Sequence, residues 1–434
     1  MDRASNTGAV SLPYAASAGE SPAVYVRLSI MMFIEFAIWG SWAVLIAGHM
    51  RNLGFTDPQI NNVYLTTALG AMLSPLIAGW IADRFLPNQI FTGFVHLVGA
   101  GLMYVAWQQR EFVPLWSLIL CYAVLYMPTI ALTNAIAFYH MKDSKKFGNI
   151  RVWGTIGWIV INWVMSTYLG WWEKQQPGVS HVGDCLVAAS VLSAVMGLYC
   201  FTLPHTPPAR HAKNPYAFLE ALKLCSERNF AVLLVISFVV AVELPFYYNL
   251  TFLFLTEAGT GVGLPESRAN FAMSLGQVAE VALMLLLAPS LKHLGMRTTI
   301  LLGILAWPAR YAVFAIGQPV WLVIAAQTLH GICYSFFFVG GMIAVERLAH
   351  KDVRASAQGL IVFATNGVGM LLGSLLAGQI AHLFLLPGGG HRWAAIFLVP
   401  IAVTVLAAIA FVALFNERRY VEASQRVARE EVPV

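Results

Sequence analysis

Four ionisable side chains interrupt long apolar runs of this sequence: Glu35, Glu243, Glu280 and Arg310. A charge at the centre of a lipid bilayer costs at least about 2.5–3.5 kcal/mol, so each of these groups needs a partner or a water-filled cavity. Burial disfavours the charged form of a carboxyl group, and a buried glutamate can therefore bind and release a proton in the physiological pH range. We predict proton coupling by these acids, in the order Glu280, Glu243, Glu35. The alternative is a permanently paired structural acid, with Arg310 as a partner.

Polar and aromatic residues share helix faces with these charges, because residues three, four or seven positions apart lie on one side of a helix. Any one pair could be a structural hydrogen bond between helices. Together they supply hydrogen-bonding groups and aromatic planes to a neutral ring that carries hydroxyl groups, and stacking of a base on an aromatic side chain is worth about 1–3 kcal/mol. The residues predicted to bind substrate are Arg151, Thr155, Trp158, Gln277, Glu280, His330, Tyr334, Tyr248 and Asn366.

The elements that must position these residues are membrane-spanning helices. Hydrophobic residues make up 59% of the chain and charged residues 11%, against about a quarter charged in soluble domains. The apolar runs are close to the roughly 20 residues that a helix needs to cross a bilayer, and the short alternating segments of a membrane β-barrel are absent from the sequence. We predict twelve spans near 26–50, 60–83, 88–108, 114–139, 150–171, 185–203, 229–255, 268–291, 297–317, 319–345, 355–385 and 393–416.

Positive charge in the loops predicts the orientation, because Lys and Arg are enriched on the cytoplasmic side. Most of the 26 Lys and Arg residues fall on the side of both termini. That side is therefore expected to be cytoplasmic, and the bias explains the net charge of +5 without a nucleic-acid partner. The first 25 residues are small and polar and are interpreted as a cytoplasmic tail rather than a signal peptide. The opposite side carries only Arg51, Arg110, Lys174, Arg268 and Arg392.

The two halves of the chain resemble each other. Glu35 in helix 1 matches Glu243 in helix 7, and Gly70 in helix 2 matches Gly276 in helix 8. Two related six-helix units with a site between them, near the bilayer midplane, form a known carrier architecture. The predicted fold is an all-α integral membrane protein with twelve transmembrane helices in two pseudo-symmetric six-helix bundles, the major facilitator fold. The predicted units are an N-terminal tail (1–25), a first bundle (26–203), a linker (204–228), a second bundle (229–416) and a C-terminal tail (417–434).

The segment from Gly79 through Asp83 to Arg84 resembles the GxxxDR loop motif of the major facilitator superfamily, and this resemblance implies a cytoplasmic gate. Glycine permits close helix approach, and an acid can cap a neighbouring helix end. The alternative is an ordinary positively charged helix end. The five cysteines form no CxxC pair, so neither a metal site nor a disulfide framework is predicted. No cofactor is predicted.

Several longer stretches resemble the nucleoside:H⁺ symporter family of Gram-negative bacteria. They are FAIWGSW (36–42), YMPTIALTNAIAFY (126–139), IRVWGTIGW (150–158), VRASAQG (353–359) and TNGVG (365–369). The resemblance implies a monomeric inner-membrane importer of nucleosides with protons, whose pocket is lined by residues matching Arg151, Thr155, Gln277, Glu280, His330 and Tyr334. The sequence departs from the family at Pro245 and Tyr248, where better-known members have amides, and at Ser335, where they have an acid.

Three alternatives remain at the level of sequence. The first is a carrier of the same architecture for another hydroxyl-rich solute, such as a sugar, an oligosaccharide or a muropeptide. The second is an efflux antiporter. The third is a membrane-embedded enzyme or sensor, which the sequence disfavours because it shows no nucleophile–base spacing, metal-ligand cluster or phosphate-binding glycine loop.

Overall fold

The computed structural model describes residues 22–77, 86–141, 147–207, 217–350 and 353–430. Within these ranges, a helix occupies each of the twelve predicted span positions. Ten of these helices are long and apolar enough to cross a membrane. For α2 and α5 the crossing itself stays a prediction. The helices are α1 (Pro22–Asn52), α2 (Asp57–Ile77), α3 (Asn88–Trp107), α4 (Phe112–His140), α5 (Phe147–Gln175), α6 (Val182–Cys200), α7 (Arg228–Thr256), α8 (Glu266–His293), α9 (Gly295–Ile316), α10 (Val320–Leu348), α11 (Ser356–Leu383) and α12 (Trp393–Leu414).

Several of these helices are locally irregular. Short turns interrupt α1 at residues 44–45 and α7 at residues 249–250. A π-helical turn replaces regular α-helix at Cys333–Val339 in α10 and at Phe363–Gly369 in α11. Such turns inside helices are frequent at functional sites, because they rotate the following side chains relative to a regular helix. Tyr334 and Asn366, two predicted substrate contacts, lie within them.

The two halves of the chain pack by corresponding contacts. In the first half, a Cβ atom on Gly70 of α2 would come within 2.5 Å of the backbone oxygen of Ala123 in α4. In the second half, a Cβ atom on Gly276 of α8 would come within 3.1 Å of the side chain of His330 in α10. The second helix of each half therefore approaches the fourth at a glycine, where a side chain would separate the backbones. The domain boundaries given above stay a prediction.

One end of the helix bundle, the proximal face, carries the described ends of the chain. There Arg27 donates to the carbonyl of Thr202, and Asn229 and Asn416 exchange hydrogen bonds. The predicted tail after residue 416 contains a helix, α13 (Glu417–Glu430). The Glu417 carboxylate accepts from the backbone amides of Met296 and Arg297, and so satisfies free donors at the start of α9.

The opposite end, the distal face, joins the two halves. Asn52 and Ser180 of the first half donate to Glu266 of the second, while Ser267 donates to Glu173 through its backbone and its side chain. Deeper in the bundle, further polar contacts connect α5 to α8 and α2 to α7. These contacts are Asn270 with Asn162, Trp163 with Ser274, and Asn249 with Asn61.

Candidate functional site

The first wall of the candidate site is the face of α5 that carries Arg151, Thr155 and Trp158. All three side chains are partly exposed. The Arg151 guanidinium lies 3.9 Å from the centre of the Phe36 ring of α1, and Trp158 makes an edge contact with Trp39 at 5.6 Å. Phe36 therefore holds the guanidinium by a cation–π contact, and Arg151 donates no side-chain hydrogen bond among the described residues, so its donors are available to a ligand.

The second wall combines α7, α8 and α10. Gln277 and Glu280 of α8 are partly exposed, and within the described ranges neither side chain makes a hydrogen bond of its own. His330 of α10 is buried, with Nε2 4.0 Å from Glu280 Oε2 and 3.4 Å from the Tyr248 hydroxyl. Tyr334 lies beside it, with ring centres 6.3 Å apart. The wall thus offers an amide, a carboxylate and two tyrosines.

The two walls face each other. α5 and α8 meet at the Trp163–Ser274 hydrogen bond, and Arg151 and Glu280 lie on the proximal side of it, one in each half. Among the described residues, the hydrogen bonds between α5 and α8 run from Glu173–Ser267 at the distal face to Trp163–Ser274. In residues 151–161 of α5, on the proximal side, no described residue makes a hydrogen bond to α8. The residues predicted on α5 and α8 therefore lie where these two helices have no polar contact with each other.

The other two predicted coupling acids are in different surroundings from Glu280. Glu35 is fully buried; its carboxylate is bound by His96 at 3.0 Å and by the Thr129 hydroxyl at 2.7 Å. Glu243 is also buried, yet neither carboxylate oxygen has a hydrogen-bond partner among the described residues. The charge of Arg310 acts on Glu243, but the two side chains do not form a close pair. Only Glu280 combines partial exposure with a position at the meeting of both halves.

The remaining predicted positions have mixed outcomes. Asn366 is exposed in the π-helical turn of α11 and makes no hydrogen bond within the described part of the chain. Gly79, Asp83 and Arg84, the predicted cytoplasmic gate, lie outside the described residues. The assignment of each residue to substrate, proton or gate stays a prediction.

A charged cluster at the distal face was missed by the sequence reasoning. Arg51 binds Glu257 at 3.0 Å and lies 3.5 Å from Asp57, while His391 binds Glu257 through Nδ1 at 2.7 Å. Trp393 donates to Glu257 through its indole nitrogen at 2.9 Å. In the sequence these residues are isolated polar groups at the ends of predicted spans. The only sequence feature that could have indicated the cluster is that all of them lie near loops expected on the same side of the membrane.

The ionisation of the cluster follows from these contacts. Burial alone would lower the pKa of His391, but its hydrogen bonds to Asp57 and Glu257, together with their charges, raise that pKa to about 9. Burial would raise the pKa of Glu257, but hydrogen bonds from His391 and Thr260, together with the charge of His391, lower it to about 2. At neutral pH the cluster therefore holds a protonated imidazole between carboxylates.

Comparison with known proteins gives the family. Residues 23–420 match the family model described as Nucleoside H+ symporter. The chain is 35% identical over 408 residues to "Putative nucleoside transporter YegT" of Escherichia coli K12, covering 90% of this chain and 93% of that one. It is 30% identical over 406 residues to "Xanthosine permease" of the same organism, covering 89% and 95% of the two chains.

A solved structure is also similar. The crystal structure of the nucleoside transporter NupG superimposes with a TM-score of 0.80 at 28% sequence identity, covering 91% of this chain and 99% of that one. The expected major facilitator architecture is thereby confirmed. With a family match along nearly the whole chain, this multi-pass membrane protein belongs to the nucleoside:H⁺ symporter family.

Proposed function

We propose that this protein imports a nucleoside together with protons, binding the cargo between Arg151, Thr155 and Trp158 on one wall and Gln277, Glu280, His330 and Tyr334 on the other. The observation that carries the proposal is the position of the partly exposed Arg151 and Glu280 on α5 and α8 of the two halves, on the proximal side of the Trp163–Ser274 hydrogen bond between these helices. Arg151, Gln277 and Glu280 make no side-chain hydrogen bond within the described part of the chain, so their donors and acceptors are available to ribose hydroxyls and to base edges. Trp158, Tyr334 and Tyr248 supply aromatic surfaces for the base.

Glu280 is the proposed coupling acid. Its carboxylate lies beside His330 and within the field of Arg151, so its charge affects both walls at once. Protonation removes that charge and weakens the attraction between the walls, whereas proton release restores it. The family acid on helix 10 is replaced by Ser335, which leaves Glu280 as the acid nearest to the cargo.

The proposed setting is the bacterial inner membrane, with the proximal face and both termini in the cytoplasm. The contacts that join the halves at the distal face, with no α5–α8 hydrogen bond on the proximal side among the described residues, then correspond to a state that is closed to the periplasm. Import would proceed by alternate opening of the two faces around the site. We propose a monomer in the lipid bilayer, a role in transport rather than catalysis, and gating by Gly79, Asp83 and Arg84.

A second candidate is a carrier of another hydroxyl-rich solute. The residues that favour it are Pro245 and Tyr248 in α7, because they stand where better-known family members have amides. Fewer amides at the cargo weaken recognition of base edges, while the tyrosine hydroxyl and ring suit a sugar as well as a base.

Proteoliposome uptake tests the proposal directly. Purified protein is reconstituted, a pH gradient is imposed, and uptake of radiolabelled uridine and adenosine is measured with a panel of unlabelled nucleosides, sugars and muropeptides as competitors. We expect gradient-dependent accumulation that nucleosides inhibit. Accumulation inhibited by sugars alone would favour the second candidate, and nucleoside-driven proton movement in the opposite direction would indicate an antiporter.

A further inference from the structure

Arg310 lies in the second half of α9 with its side chain fully buried. The guanidinium carbon is 3.8 Å from the centre of the Tyr247 ring and 5.1 Å from that of Tyr311. Two of its nitrogens, Nε and Nη2, have no hydrogen-bond partner among the described residues, and Glu243 acts on it only through charge. A buried cation held in this way is costly, so the one hydrogen bond that Arg310 makes within the described ranges is informative.

That contact is with His330. Arg310 Nη1 lies 3.3 Å from His330 Nδ1. A guanidinium has only N–H donors, so the ring nitrogen that faces it must accept and must carry a lone pair. In a neutral imidazole the proton then resides on the other nitrogen, Nε2. The position of Arg310 therefore selects one tautomer of His330.

The protonated nitrogen faces the candidate site. His330 Nε2 is 3.4 Å from the Tyr248 hydroxyl and 4.0 Å from Glu280 Oε2. The Tyr247 ring is stacked on the imidazole, with ring centres 5.0 Å apart and planes inclined by 18°. Stacking fixes the plane of the ring, so its donor is held on the side of the Tyr248 hydroxyl and the Glu280 carboxylate.

We infer that Arg310 is a positioning residue that keeps His330 neutral, with its Nε2 proton on the side of Tyr248 and Glu280, so that Glu280 and not His330 changes its proton occupancy. The coupling role of Glu280 in this inference rests on the proposed function, whereas the protonation state of His330 can be tested without it. Proton uptake at Nδ1 would place a second cation 3.3 Å from the guanidinium and remove the acceptor of its hydrogen bond. The titratable groups that face His330 are Tyr247 and Tyr248 of α7, Glu280 of α8, Arg310 of α9 and Tyr334 of its own helix, and Glu243 lies near Arg310.

The protonation state can be measured without transport. NMR spectra of the full-length protein with ¹⁵N-labelled histidine are recorded in liposomes at about pH 5 and about pH 8, which bracket the ordinary titration of histidine. The His330 signals are assigned as those lost in His330→Gln. We expect an unprotonated Nδ1 and a protonated Nε2 at both pH values. A wild-type ring protonated on Nδ1 at either pH would overturn the inference, even if no Arg310 variant folds.

Two substitutions at position 310 sharpen this measurement. Arg310→Lys keeps the charge and a donor, so His330 should remain neutral at the acidic pH. Arg310→Gln removes the charge, and His330 should become protonated on both nitrogens there. A ring that stays neutral at the acidic pH in Arg310→Gln would show that the guanidinium does not control it.

Uptake gives a second readout that a merely structural role would not affect. In Arg310→Gln, a protonated His330 would hold Glu280 in its charged form at the acidic pH. Nucleoside uptake relative to wild type should therefore be about tenfold lower at the acidic pH than at the alkaline pH, since a change of one pKa unit corresponds to a factor of about ten. The double variant Arg310→Gln/His330→Gln should lack this acid-specific loss. An equal loss at both pH values would contradict the inference. Absence of nucleoside uptake by the wild type would instead contradict the proposed function and leave the NMR result valid.

Discussion

His391 and Asp57 lie 334 positions apart in the chain, yet Nε2 of the histidine is 3.0 Å from Oδ2 of the aspartate. Because the second ring nitrogen binds Glu257 at 2.7 Å, the imidazole links the two halves of the protein at the distal face. Both nitrogens can donate to carboxylates only when the ring is protonated. Separation of the halves at this face must break the bond to Asp57.

The first prediction concerns the pH dependence of this closure. The pKa of His391 is raised to about 9, so the stabilisation of the closed distal face is present at neutral pH and is lost as the pH rises through that value. Spin labels at Lys174→Cys and Gly388→Cys, one in each half and both exposed, should move apart on alkalinisation. The measurement is a pulsed electron–electron distance distribution in liposomes.

His391→Asn in the same labelled protein should show the longer distance already at neutral pH. His382→Asn provides the control, because that histidine is exposed on α11 and takes no part in the cluster. A distance that is unchanged in His391→Asn at every pH would show that the cluster does not hold the face closed.

The second prediction concerns Glu280, which we expect to be essential for proton coupling. Glu280→Gln keeps the size of the side chain and removes its ionisation, so it should abolish accumulation driven by a pH gradient. Exchange of nucleoside across the membrane without a gradient should persist. Glu422→Gln, an exposed position on α13, should behave as wild type. Full uphill uptake by Glu280→Gln would exclude this residue as the coupling acid.

The third prediction concerns cargo binding by Arg151 and Gln277. Hydrogen bonds to charged groups are worth about 1.5–3 kcal/mol, so Arg151→Ala should weaken nucleoside binding by about 10- to 100-fold, and Gln277→Ala by a smaller factor. Isothermal titration calorimetry of the purified protein measures both affinities, with the exposed Gln425→Ala as a control. If neither substitution changed the affinity, the pocket would lie elsewhere.

The fourth prediction separates Glu35 from the coupling acids. Its two carboxylate oxygens are hydrogen-bonded to His96 and Thr129, and a buried polar group left without its hydrogen-bond partner typically costs about 1–3 kcal/mol. Glu35→Ala should therefore lower the thermal unfolding temperature strongly, and Glu35→Gln less so, with proton-driven accumulation retained in the latter. A folded Glu35→Gln protein that binds nucleoside but no longer accumulates it would instead assign the proton to Glu35.

The fifth prediction concerns the packing of α1 on α5. A Cβ atom on Gly157 would overlap the backbone carbonyl of Phe33, whereas one on Gly148, earlier in the same helix, would meet nothing within 4 Å. Gly157→Ala should reduce the yield of monodisperse protein and lower its unfolding temperature, because two backbones must separate. Gly148→Ala should leave both unchanged. Equal behaviour of the two variants would contradict the close approach of α1 and α5.

The sequence by itself determined the membrane class and the positions of the helices, and it supplied the candidate polar residues. Hydrophobicity places each helix because lipid requires every backbone polar group to be satisfied within its own segment. A charged side chain is also costly in lipid, and this cost singles out Glu35, Glu243, Glu280 and Arg310 as candidate functional residues. The motif around Arg151 was specific enough to indicate the family, which the comparisons confirm.

Only the tertiary structure distinguished among those charges. Glu35 and Glu243 occupy matching positions and both are buried. The carboxylate of Glu35 is hydrogen-bonded, whereas neither carboxylate oxygen of Glu243 has a hydrogen-bond partner in the described part of the chain. The contact between Arg310 and His330, and the bridge from Asp57 through His391 to Glu257, join residues from different helices or different halves. Periodicity shows which residues share a face of one helix. Which faces meet depends on how the helices pack against one another, and a single sequence does not carry that information locally.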